Sequence, residues 1–250
     1  MISELNFLSK ELKKDTCVTI ILPNDISEGK PFKTLWLLHG LMGDHTSWIR
    51  RSSIESYVKK QNIAVVMPSV DRSWYTNTAY GVNYFNYVAY ELPSLMRATF
   101  KNYSDKREDN LVAGLSMGGY GALKLALTCP GNYAACISLS GSLDVTRKGR
   151  AYNIDEWRSI FGYSINSAED LEGGEHDLFE LTQRNAASSV AFPNIYMWCG
   201  TEDSLIEINR KYDSLLTQLS VPHSYEESEG DHSWRYWDIH IKNALKYILE

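Results

Sequence analysis

Leu111-Val112-Ala113-Gly114-Leu115-Ser116-Met117-Gly118-Gly119-Tyr120-Gly121-Ala122-Leu123-Lys124-Leu125-Ala126-Leu127 decides how this chain is read. An apolar run leads into Gly114-Leu115-Ser116-Met117-Gly118, and a stretch of helix formers leads out of it. Strand, G-x-S-x-G and helix together form a turn so tight that the serine Oγ projects clear of the sheet. The backbone of such a turn is strained, and side chains two residues to either side would collide, hence glycine at 114 and 118. Glycine and serine are common enough that the pentapeptide alone arises by chance in roughly one chain of this length in ten. A flexible turn is therefore the alternative to a nucleophile elbow. The surrounding elements, and the partners a nucleophilic serine requires, separate the two.

Outward from this stretch, short apolar runs recur at the spacing of an alternating α/β protein. They predict strands at 16–22, 34–39, 63–67, 110–115, 134–140, 194–199 and 222–227, with helices at 52–60, 83–100, 119–128, 205–219 and 234–249. Several runs are apolar nearly throughout, as in a mostly parallel central sheet covered by helices on both faces. Pro93 predicts a kink or restart in the second helix. Trp234, Trp237, Ile241, Leu245 and Ile248 form an amphipathic stripe on the last helix, which reads as core. No repeat or linker interrupts the chain, so 1–250 reads as one α/β domain. The segment 141–192 is longer than a crossover needs. It carries Trp157, Phe161, Tyr163 and Gly173-Gly174 and reads as a small insertion, a lid or pocket wall over the carboxyl edge of the sheet, where doubly wound folds bind ligands.

The bulk properties narrow the function. In 250 residues the net charge is −6, with both signs interspersed. No basic stripe for nucleic acid and no polybasic segment for anionic lipid is present. No signal peptide or bilayer-length apolar run is evident, so the expectation is a soluble, cytoplasmic protein without nucleic-acid or membrane partners. Cys17, Cys129, Cys136 and Cys199 are scattered and read as buried free thiols. Tyr80, Tyr84 and Tyr87 fall at helical spacing and read as packing or subunit-interface residues, which leaves a homo-oligomer open.

A serine nucleophile needs a base oriented by an acid, and in this architecture they follow in the order Ser, acid, His. Gly200-Thr201-Glu202-Asp203-Ser204 follows the strand at 194–199, which makes Asp203 the first candidate acid. Glu202 is its neighbour, Asp144 its rival after the preceding strand, and an ordinary helix cap its alternative role. Of six histidines, His232 lies between the last strand and the last helix, in a loop that can reach back over the elbow. His39 and His45 precede the serine, His176 falls in the insertion, His223 begins a strand, and His240 lies within a helix. His39-Gly40-Leu41-Met42-Gly43 follows the strand at 34–38, where this fold keeps its oxyanion loop. The expected donors are the backbone N–H groups of Leu41 and Met117; the alternative is a plain glycine turn capped by His39. Trp74 and Tyr75 lie in a loop on the same edge and are candidates, with Trp157 and Phe161, for lining the substrate pocket.

These motifs resemble the esterase D branch of the α/β-hydrolases, which includes the S-formylglutathione hydrolases, and are most similar to tributyrin esterases of Gram-positive bacteria. The pieces that carry the resemblance are Leu37-Leu38-His39-Gly40, Val65-Val66-Met67-Pro68, Trp74-Tyr75-Thr76, Tyr90-Glu91-Leu92-Pro93, Ala113 to Gly121, and Gly230-Asp231-His232-Ser233-Trp234. The resemblance implies Ser116, Asp203 and His232 as the triad and Leu41 and Met117 as oxyanion donors. It further implies hydrolysis of small-molecule carboxylic esters with short acyl chains through an acyl-enzyme, with no metal or organic cofactor. Acetylated sugars, feruloylated polymers and glutathione thioesters are the alternative substrates it suggests. S-formylglutathione hydrolases carry a cysteine in the loop after His-Gly, where this chain reads Leu41-Met42-Gly43-Asp44-His45. Acyl transfer to a sugar alcohol, and a binding protein with a vestigial site, are the other two functions compatible with these residues.

Overall fold

The computed structural model describes residues 1–24, 30–147, 153–188 and 190–249. Eight strands form one sheet in the order β1-β2-β4-β3-β5-β6-β7-β8: β1 Ile2–Ser9, β2 Lys14–Ile21, β3 Lys33–Leu38, β4 Ile63–Pro68, β5 Asn110–Leu115, β6 Ala135–Leu139, β7 Asn194–Gly200 and β8 His223–Ser228. The first three neighbours in this order pair antiparallel, and β4 onward is parallel throughout. Strands β4, β5 and β6 are buried along their whole length, which accounts for their unbroken apolar sequence.

The period-2 alternation of each strand assigns residues to two cores. Leu35 and Leu37 of β3, with Val65 and Met67 of β4, face the first core, which the helix Trp234–Leu249 closes through Trp237, Ile241, Ala244 and Leu245. Trp36, Leu38, Ala64 and Val66 face the second. Against that face lies the helix Met117–Thr128, buried from Met117 to Leu127 because further helices cover its outer side. It is consequently apolar almost all round.

The structure departs from the sequence reading at identifiable places. Strand β1 was not expected; its inward face carries the apolar Leu5 and Phe7 but also Ser3 and Ser9, and its outward face includes Ile2 and Leu8, so only a short apolar alternation marks it. The helix expected at 52–60 is two short helices, Ser47–Arg51 and Ile54–Val58. The kink expected at Pro93 is a π-helical stretch, Tyr87–Glu91, which leads into Leu92–Thr99 and accommodates the missing proline N–H. Tyr84 and Tyr87 are packed in the core, whereas Tyr80 is exposed. All four cysteines are free, but only Cys136 and Cys199 are buried; Cys17 and Cys129 are half-buried. Among the described residues no helix is long and apolar enough to cross a membrane.

Candidate active site

Ser116 stands between β5 and the helix Met117–Thr128 with φ 52° and ψ −117°, a conformation that costs a non-glycine residue of order 1–3 kcal/mol. Its surroundings hold it there. Ser116 N–H donates to Leu139 O (3.0 Å), and Ser116 O accepts from Ser142 N–H (3.0 Å) and Tyr120 N–H (3.2 Å). The flanking glycines are sterically required. A Cβ on Gly114 would lie 2.2 Å from Gly118 O, and one on Gly118 would lie 2.5 Å from Leu38 O.

The loops after β7 and β8 bring the expected partners to this serine. His232 Nδ1 lies 2.8 Å from Asp203 Oδ2, and His232 Nε2 lies 3.0 Å from Ser116 Oγ. A carboxylate only accepts, so Nδ1 carries the proton and Nε2 is free to accept from the Ser116 hydroxyl. Asp203 is 2% exposed, and its second oxygen accepts Leu205 N–H at 2.9 Å. Burial pushes its carboxyl pKa up, but the hydrogen bond and charge of His232, with Leu205 N–H and the Ser140 hydroxyl, outweigh burial and hold it below the ordinary value. Trp237 packs its ring perpendicular to His232 at 4.8 Å and donates Nε1–H to Ser140 Oγ at 3.1 Å.

The loop after β3 supplies the other wall. His39 is buried, and its ring bridges two backbones: Nδ1–H donates to Gly40 O (2.7 Å) and Nε2 accepts Val70 N–H (3.0 Å). Burial lowers its pKa, and the bond from Val70 requires the neutral ring. His39 thus braces the loop rather than acting as a base. Gly43 N–H closes the turn onto Gly40 O at 2.9 Å. The N–H groups of Leu41 and Met117 have no acceptor among the described residues, although Met117 is fully buried. An unpaired buried N–H such as that of Met117 is rare, and with the free N–H of the half-buried Leu41 it forms a ready pair of donors for an anionic oxygen.

Ser116 and His232 open onto a cavity of about 440 Å³ whose walls include Gly40, Leu41, Met42 and Trp237. Ser47, Arg51 and Trp234 also line it. Sequence reasoning missed these three and Trp237: Trp234 and Trp237 belong to the amphipathic stripe read as core, and no local pattern marks Ser47 or Arg51. The four aromatic residues expected at the pocket lie elsewhere. Trp74, Tyr75 and Trp157 are at most 2% exposed, and Trp157 stacks edgewise on Trp74 at 5.2 Å and against the half-buried Phe161 at 4.8 Å. None of the four lines the cavity at Ser116. Large rings gain most from burial, and the insertion packs Trp157 against Trp74 and Phe161 against Trp157 and His176. Tyr75 nevertheless serves the site: its hydroxyl donates to His39 O at 2.9 Å, and its ring fills the space left by Gly121. The lid expectation for 141–192 includes 148–152 and 189, which lie outside the described residues.

The remaining candidates are occupied. Glu202 is exposed, and Asp144 accepts from Thr146 N–H and Oγ1. His45 pairs with Thr19 Oγ1, His223 with Val221 O and Asp213, His176 with Lys124, and His240 stacks on Trp198. Among the described residues no group of His, Cys, Asp or Glu side chains is arranged to hold a metal ion.

A strained elbow serine, hydrogen-bonded through histidine to a buried aspartate at the carboxyl edge of a mostly parallel sheet, defines a serine hydrolase of the α/β-hydrolase fold. Solved structures agree. The substrate-bound fluorophosphonate-binding serine hydrolase F (FphF) of Staphylococcus aureus superimposes with a TM-score of 0.92 at 35% identity, over 100% of this chain and 98% of that one. The S-formylglutathione hydrolase FrmB of the same organism gives 0.88 at 34% identity, over 100% and 99%. An acetyl esterase of Caldicellulosiruptor saccharolyticus is 34% identical over 266 aligned positions, covering 99% of this chain and 97% of that one. Residues 9–248 match the esterase family model, and the chain belongs to that family. It is a serine esterase, a hydrolase of carboxylic esters.

Proposed function

We propose that this esterase cleaves esters of short acyl groups, acetyl to butyryl, through an acyl-enzyme formed on Ser116. The observation that carries the reading is the continuous hydrogen-bonded chain from Asp203 through His232 to Ser116 Oγ. His232 Nε2 takes the hydroxyl proton as Oγ attacks the ester carbonyl, and Asp203 stabilises the imidazolium that results. The tetrahedral oxyanion is held by the N–H groups of Leu41 and Met117, whose hydrogen bonds strengthen as charge develops. Collapse returns the proton to the leaving alcohol. Water, activated by the same histidine, then releases the acid.

Similarity to an acetyl esterase favours the short acyl group. A glutathione thioester is the less favoured substrate, because the loop from Leu41 to His45 holds no cysteine. Hydrolysis of p-nitrophenyl esters from acetate to decanoate tests the reading. kcat/KM is expected to peak at or below butyrate, and Ser116→Ala to lower kcat by roughly 10⁴-fold or more with the fold intact. An optimum at octanoate or longer, or a tenth of the activity surviving in Ser116→Ala, overturns it.

A further inference from the structure

We infer that Arg51 is an anion subsite of the catalytic cavity, selecting esters whose alcohol part carries a carboxylate. The inference rests on Ser116 acting as an esterase nucleophile in that cavity. Arg51 ends the short helix Ser47–Arg51 and is the only residue of fixed charge lining the cavity among the described residues. Its neighbour Arg50 is committed, its guanidinium donating to Thr46 Oγ1 at 2.7 Å and reaching Asp44 at 3.4 Å. Arg51 has no carboxylate partner among the described residues. Asp44 is engaged by Thr46 and Arg50, Asp238 by Ser53 N–H and Tyr57 Oη–H, and Glu55 lines a separate pocket beside Pro23 and Lys59.

The guanidinium is held by a ring rather than by an acid. Arg51 Cζ lies 5.9 Å from the Trp234 ring centroid, and Trp234 is itself fixed edgewise between Trp48 at 5.0 Å and Trp237 at 5.5 Å. Trp237 packs on His232 at 4.8 Å. A single rigid aromatic row therefore runs from the catalytic imidazole to the guanidinium. Stacking on a ring face leaves the planar N–H fork free for bidentate recognition of a carboxylate. In a chain of net charge −6 an anionic substrate is otherwise repelled, so one unpaired cation at the site discriminates strongly. The acyl group is short in the proposed reaction, which assigns the anion to the alcohol side.

The test compares 4-acetoxybenzoate with 4-acetoxybenzamide, which differ in charge but share the acetyl ester. The ratio of kcat/KM for the anionic over the neutral ester should fall about tenfold in Arg51→Gln and further in Arg51→Glu, and be only partly kept in Arg51→Lys, which retains the charge but not the planar fork. With wild-type enzyme the same ratio should collapse as ionic strength rises from about 0.01 to about 1 M, where the Debye length shrinks from ~30 to ~3 Å. The salt series stands even if a variant fails to fold. A ratio unmoved by both charge removal and salt, with both esters cleaved, overturns the anion subsite alone. Cleavage of neither ester by wild type overturns the esterase reading and this inference with it.

Discussion

Asp203→Asn separates the role of charge at the acid from that of shape, and the structure dictates which way the new amide points. One Asp203 oxygen accepts Leu205 N–H at 2.9 Å and the other faces His232 Nδ1 at 2.8 Å, with the side chain almost fully buried. An asparagine that keeps its oxygen on Leu205 N–H presents its NH₂ to His232. The imidazole must then carry its proton on Nε2, facing Ser116, and cannot accept the hydroxyl proton. Flipping the amide restores the tautomer but sets two donors against each other at Leu205, leaving a buried N–H unsatisfied at a cost of about 1–3 kcal/mol. That alone is roughly a five- to 150-fold loss, and the missing carboxylate charge beside the imidazolium adds to it. The expected fall in kcat on p-nitrophenyl acetate is on the order of 10³–10⁴, with KM little changed because both effects act in the transition state. Steady-state kinetics and a melting curve of the same preparation make the measurement. Retention of more than a tenth of wild-type kcat refutes the reasoning, as does an equal loss in Asp144→Asn.

Two further predictions follow from packing and burial. Gly118→Ala places a Cβ 2.5 Å from Leu38 O and 2.7 Å from His39 O, both backbone, so the elbow helix must move off β3 by about 0.5 Å or more. The shift displaces Ser116 and Met117 N–H relative to the Leu41 loop, and kcat should fall ten- to a hundredfold; a value within twofold of wild type contradicts the oxyanion geometry. Lys124 is buried, bonded to Thr76 Oγ1 at 2.6 Å and His176 Nδ1 at 3.1 Å, and burial pushes its pKa down to about 7. The unfolded chain holds that proton up to about pH 10.4, so between these values it binds more protons than the folded state and stability rises with pH. Thermal melts should show wild type gaining on Lys124→Met from pH 7 to about 10, and parallel curves would show that Lys124 does not titrate in this window.

The elbow, the parallel strands and the order of serine, acid and histidine were legible because each is a local or covalent property. Five residues carry the steric demand for Gly114 and Gly118, and the apolar runs of β4, β5 and β6 follow from burial on both faces. Loop position and order favoured Asp203, with Glu202 one residue away as the neighbour it could be confused with. That choice depends on which side chain the turn after β7 directs inward, and there Asp203 is buried while Glu202 is exposed. Strand β1 escaped detection because only Leu5 and Phe7 of its inward face are apolar, while Ile2 and Leu8 face out, and its place in the sheet comes from pairing with β2. Trp157 and Trp234 were both bulky aromatics at helical positions, and nothing in either segment announced that the first would be sealed in the core and the second would line the catalytic cavity with Arg51. Periodicity reports that a face is covered. What covers it, and where a gap is left for substrate, is decided by contacts between segments far apart in the chain, and only the tertiary structure brings those together.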